Sequence, residues 1–180
     1  MLAICDDFNT HSSIGQTFNA VVTNVASLQG EVTPSTAVKF DHNNPADPAS
    51  DAAKQQTDYA TAAYLAIQLL GIDQSTAAGK TSAGLYSFAL WSIFTPSALT
   101  KLTPTEQAGV QNILNGLTSA NLTPGAYGNV DIYTPSPQSA SQEFIVVRTD
   151  EPGAVALLGF NILAVFSLVF FLRKRLIRAV

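Results

Sequence analysis

With 180 residues, 47% of them hydrophobic and 12% charged, the chain is long enough to bury a sizeable core in one domain. The formal charge of −4 divides unevenly: residues 1–152 hold thirteen acids against five bases, a net −8, while residues 153–180 hold four bases and no acid. So acidic and charge-poor an N-terminal part argues against a nucleic-acid partner, since little in it could neutralise a phosphate backbone, and a single cysteine, Cys5, excludes an internal disulfide.

In chain order, residues 2–8 read as a short strand and Asn9–Ser13 as a polar loop. Between Ile14 and Leu28, Phe18, Ala20 and Val22 alternate with Thr17, Asn19, Val21 and Thr23, a period near two that predicts a strand. Glu31–Gln56 is proline- and Asn/Asp-rich without periodicity, which predicts a long surface loop. A first helix is expected from Thr57 or Asp58 to Leu70, with Asp58 at its start, Gly71 after its end and an apolar stripe of Ala60, Ala63, Tyr64, Ile67 and Leu70. A second, from Ser82 to Phe94, is apolar nearly all round and reads as the central buried helix, halted by Thr95-Pro96. The third starts at Thr103, with Pro104 at its first position and Glu106 closing a capping box; Val110, Ile113, Leu114 and Leu117 recur on its inner face. Asn121–Gly128 is a turn-rich link. Val130–Thr134 and Glu143–Val147 read as strands around an open polar loop, Pro135–Gln142. The pattern predicts an α+β domain over 1–148, an antiparallel sheet with about three clustered helices.

Catalytic and metal chemistry find few candidates. His11 and His42 both fall in polar loops, where solvated side chains are the rule. Asp41, His42, Asn43, Asn44, Asp47 and Asp51 could offer oxygen ligands to calcium, but Pro45 interrupts them and the EF-hand spacing is missing; a solvated loop is the preferred reading. Adjacent Asp6 and Asp7 would face opposite ways on a strand and so form no carboxylate pair, though one could bond the following loop. Gly79-Lys80-Thr81 imitates the end of a phosphate-binding loop, yet Gln74 stands where its first glycine belongs. Histidine and cysteine are too few for structural zinc. The expectation is a protein that is not an enzyme and holds no cofactor and no metal.

Residues 149–153 read as a linker and 154–172 as a membrane-spanning helix: nineteen residues without a charge, interrupted only by Asn161 and Ser167. As a helix this run would be about 28 Å long, near the roughly 30 Å of bilayer hydrocarbon. Arg173, Lys174, Arg175 and Arg178 follow as a basic tail, 173–180, that would stay cytoplasmic and leave residues 1–148 outside. Pro152 and Gly153 break any helix arriving from the N-terminal side. No basic and apolar leader follows Met1, so export is expected to depend on a signal peptide missing from this chain.

The order motif, apolar run, basic tail resembles the C-terminal sorting signal of PEP-CTERM proteins, the substrates of bacterial exosortases. Glu151 and Pro152 match the second and third positions of that family's motif, and Asp150 stands where it has its first proline. Ile4-Cys5-Asp6-Asp7-Phe8, Ile14-Gly15-Gln16-Thr17, Ala62-Ala63-Tyr64-Leu65-Ala66 and Phe88-Ala89-Leu90-Trp91-Ser92-Ile93 are similar to a recurrent ectodomain of the same family. The resemblance implies a secreted or cell-surface protein, partnered by the membrane and an exosortase-type enzyme and associated with exopolysaccharide or biofilm matrix. Cys5 on a first strand and a helix ending Ala-Leu-Trp also resemble thioester domains of surface adhesins, in which a cysteine and a glutamine condense. The glutamine position falls on Ser87, which has no carboxamide, so Cys5 is expected to be a small buried residue. A stably anchored extracytoplasmic binding module and a thioester-like adhesin remain as alternatives.

Overall fold

The computed structural model describes residues 2–13, 15–41 and 48–148. Four strands, β1 (Leu2–Cys5), β2 (Asn19–Asn24), β3 (Val130–Ser136) and β4 (Phe144–Val147), form one sheet in the order β1-β4-β3-β2, each neighbour antiparallel. Three helices, α1 (Pro48–Leu70), α2 (Ala77–Phe94) and α3 (Pro104–Asn115), lie between β2 and β3 in sequence. The α+β class, the antiparallel sheet and the three helices agree with the sequence reading. Residues 1–148 make one compact unit. The predicted linker, membrane-spanning helix and basic tail lie outside the described residues, among which no helix is long and apolar enough to cross a membrane.

The sheet has one apolar face because alternate residues point the same way. Val130 and Ile132 on β3 and Ile145 and Val147 on β4 are buried, with Ile4 of β1 paired to Ile145 and packed on the same core. Against this face lies α1, whose Tyr59, Ala62, Ala63 and Ala66 recur at helical spacing and are fully buried. Its run of alanines lets backbones approach closely, so α1, rather than the more apolar α2, is the central helix. On α2 only Ala83, Ala89, Leu90 and Ser92 are buried.

Helix α1 corrects the loop reading of Glu31–Gln56, since it starts at Pro48, nine residues before the expected Thr57. Asp51 sits in its first turn, where a negative charge favours the helix dipole. The inner stripe continues backward from Tyr59 through Gln55 and Ala52, each 2% exposed. A buried glutamine disguised it. Gln55 works as a clamp: its Oε1 accepts from Ser35 N (2.8 Å), and its Nε2 donates to the carbonyls of Ser35 (3.1 Å) and Phe40 (2.9 Å). Asp58, expected at the helix start, lies mid-helix and pairs with Lys54 one turn earlier.

Elsewhere the differences are at boundaries. Helix α2 starts five residues earlier than predicted, capped by Thr76 Oγ1, which accepts from Gly79 N at 3.0 Å. The capping box of Thr103 and Glu106 on α3 is present, while Leu117 falls beyond the end of that helix. Among the described residues of the stretch 14–28, only Asn19–Asn24 is strand. Val25 and Leu28, both buried, sit three apart on a 3-10 turn capped by the Asn24 side chain. Strand β1 stops at Cys5, although Asp6 N still donates to Glu143 O (3.4 Å).

Candidate functional site: a buried acid pair at the end of the sheet

Cys5 and Tyr133 both pair with Phe144. One residue further along, Asp6 and Thr134 therefore flank Glu143, and the three form a row on the core face. Asp6 and Glu143 are fully buried and Thr134 is 2% exposed. Helix α1 covers the row with Tyr59, whose hydroxyl donates to Glu143 Oε1 at 2.5 Å. On Oε2, Glu143 accepts from the Thr134 hydroxyl and from Lys39 N (2.9 Å). Phe40 N in turn donates to the Tyr59 oxygen at 3.2 Å. Three donors thus converge on Glu143.

Asp6 has none. Both its carboxyl oxygens are buried and make no hydrogen bond among the described residues. The carboxyl beside it in the row is Glu143, whose charge favours the protonated form of Asp6. Two ionised carboxylates side by side in a core would cost several kcal/mol each, and the pair avoids this by sharing a single negative charge. Burial first, then the Glu143 charge, pushes the Asp6 carboxyl well above its usual range. Burial also raises Glu143, against the pull of its bonds from Thr134, Tyr59 and Lys39. Burial and the neighbouring charge favour the proton on Asp6, while the three donors favour the charge on Glu143. Burial and the same two acids push the Tyr59 hydroxyl well above its ordinary value, keeping it a donor.

The next residue is in the opposite state. Asp7 forms an ion pair with Lys39 and accepts on Oδ1 from Asn9 N (3.0 Å) and Thr10 N (3.1 Å). Lys39 Nζ also reaches Thr10 Oγ1 at 3.1 Å. Partial burial raises the Asp7 carboxyl, but the bonds from Lys39 and Thr10 outweigh it and hold Asp7 below the ordinary range. The expected bond from one aspartate to the following loop is thus made by Asp7. The carboxylate pair joins residues 137 positions apart, which the local reading of Asp6 and Asp7 missed. Its only signal was an acid abutting each of two apolar strands.

Cys5 is half-buried and donates from Sγ to Asp7 O at 3.1 Å. Burial is the main cause pushing its thiol up to about 12, so it stays neutral. Helix α2 runs beside this strand: Trp91 Nε1 donates to Cys5 O at 2.9 Å, and Phe8 packs on Trp91 with ring centres 5.5 Å apart. Ser87 spends its hydroxyl on Ala83 O of its own helix (2.9 Å).

The remaining candidates are not brought together. His11 is exposed, and His42, Asn43, Asn44 and Asp47 lie outside the described residues. Asp41 pairs with Lys54 at 2.8 Å. Gly79 and Lys80 belong to the first turn of α2, their N–H groups taken by Thr76 Oγ1 and Thr76 O. Among the described residues no three His, Cys, Asp or Glu side chains are placed to hold a metal ion. Glu151, Pro152, Arg173, Lys174, Arg175 and Arg178 lie outside the described residues. Comparison with protein-family models, curated proteins and solved structures finds no match.

Proposed function

We propose that the chain is a non-enzymatic bacterial surface or secreted protein, delivered by a PEP-CTERM-like signal in residues 150–178 and working in an exopolysaccharide or biofilm matrix. The observation that carries this reading is the order of parts: Glu151-Pro152, nineteen uncharged residues, then four cations within six positions. The fold is compatible with it. Residues 1–148 carry their own core and end at Arg148, whose N–H donates to Asn129 O (2.8 Å), just before the motif begins. The acid pair supports a non-catalytic role: Asp6 and Glu143 are sealed under α1, with every donor to Glu143 coming from the core itself. The neutral thiol of Cys5 and the committed hydroxyl of Ser87 weigh against the thioester-like alternative.

A topology reporter tests the reading. Placed ahead of residue 1 in the protein as its own gene encodes it, with no export signal added, in an exosortase-bearing bacterium, alkaline phosphatase should be active and a fluorescent protein that folds only in the cytosol should be dark. The reverse pattern would overturn surface display.

A further inference from the structure

A cleft opens where the three helices meet, remote in sequence from the acid pair. It is lined by Tyr64 of α1, Tyr86 of α2, Asn112 and Ile113 of α3, and Gly116 and Leu117 just beyond α3, and it holds about 350 Å³. That lies near the lower end of the roughly 300–1,000 Å³ typical of small-molecule sites. Both tyrosine rings and Ile113 pack at their base against the hydrophobic core, so the walls are anchored. Among the described residues no hydrogen bond engages the hydroxyls of Tyr64 and Tyr86 or the side-chain amide of Asn112, while the Tyr64 hydroxyl lies within electrostatic reach of Tyr127. No charged side chain among the described residues lines the cleft.

We infer that this cleft binds a neutral pyranose unit of a polysaccharide. A sugar ring offers an apolar C–H face and an equatorial belt of hydroxyls. Two amphipathic rings with hydroxyl tips and one primary amide, a group with two donors and an acceptor, match both at once. The absence of any cation among the described lining residues, within a part of the chain that carries a net −8, selects against uronic acids and sulfated sugars. The inference rests on the matrix role proposed above, because that role supplies the polysaccharide context.

Titration of the full chain in a sugar-free zwitterionic detergent with glucose, galactose, N-acetylglucosamine and glucuronate, followed by saturation-transfer NMR and calorimetry, tests it. At least one neutral sugar should bind with a millimolar Kd and bind more tightly than glucuronate. Tyr86→Ala should weaken it at least about tenfold, and Tyr86→Phe, which keeps the ring and loses one hydrogen bond, about fivefold. Unchanged thermal melting of Tyr86→Phe keeps that comparison independent of folding. No transfer from any neutral sugar, tighter binding of glucuronate, or identical binding by both variants would overturn it. Since binding is read in the purified chain, a cytosolic location found by the reporter would defeat the surface reading without altering this result.

Discussion

Replacing Asp6 with asparagine is the sharpest probe of the acid pair. A carboxyl whose folded pKa lies above its unfolded value of about 3.9 binds protons better when folded. Its contribution to stability is therefore complete at acid pH and is lost as pH rises towards the folded pKa. One such proton gives a slope of about −1.4 kcal/mol per pH unit. Asp58, pushed up to about 6, slopes the same way only below that value. Asp7, held down, loses stability only in acid. The thiol of Cys5 comes into play above its unfolded value of 9. The remaining fall in stability with rising pH belongs to the Asp6–Glu143 pair, both of whose carboxyls are raised. In Asp6→Asn a neutral amide that does not titrate replaces the carboxyl beside Glu143. Relative to the native chain, the variant should lose less stability as pH rises above the unfolded value, the two curves converging in acid and separating toward neutral and alkaline pH. Urea unfolding of the folded domain, read by Trp91, the only tryptophan and bonded one residue from Asp6, measures this directly. Glu143→Gln, which turns an NH2 group toward fixed donors, should instead lose about 3 kcal/mol or more at every pH. Parallel stability curves for native chain and Asp6→Asn, or a Glu143→Gln protein that is the more stable of the two variants, would refute the assignment of charge and proton.

Other changes probe the remaining joints. Tyr59→Phe removes the donor to Glu143 Oε1 and the acceptor for Phe40 N, and chemical unfolding should show a loss of about 1–3 kcal/mol. Gly79→Ala places a Cβ 1.8 Å from the backbone oxygen of Asp73, a clash no rotamer can relieve; a drop of about 1–3 kcal/mol is expected by thermal or urea melting. At pH 8, maleimide should label Cys5 about a thousandfold more slowly in the folded protein than in urea, since a thiol pushed up to about 12 is almost entirely protonated. Equal rates folded and unfolded would show the thiol to be exposed and unperturbed.

Local signals were legible where the chemistry is local. The Thr103-Pro104-Glu106 start of α3 and the Asp7 turn both depend on residues within three positions of one another. Strand β4 and most of β3 followed from short apolar runs bounded by turn residues. Helix α1 was truncated because its first two turns carry a proline, an acid and a buried glutamine, a composition that reads as loop until Ser35 and Phe40 fold back onto Gln55. The rank of the helices was misjudged for a related reason. Mean apolarity favoured α2, but close approach to the sheet is granted by small side chains, and α1 has them. The acid pair was out of reach because its members meet only through the pairing of the first strand with the last. A purely local reading gives each acid a solvated place beside its strand.

The central claim concerns the fate of residues 149–180, and intact-mass measurement of the mature protein from an exosortase-bearing bacterium tests it most directly. The account predicts a species that ends near Glu151-Pro152 and lacks the nineteen-residue apolar run and the four cations after it. A mature protein that retains residues 153–180 would contradict it.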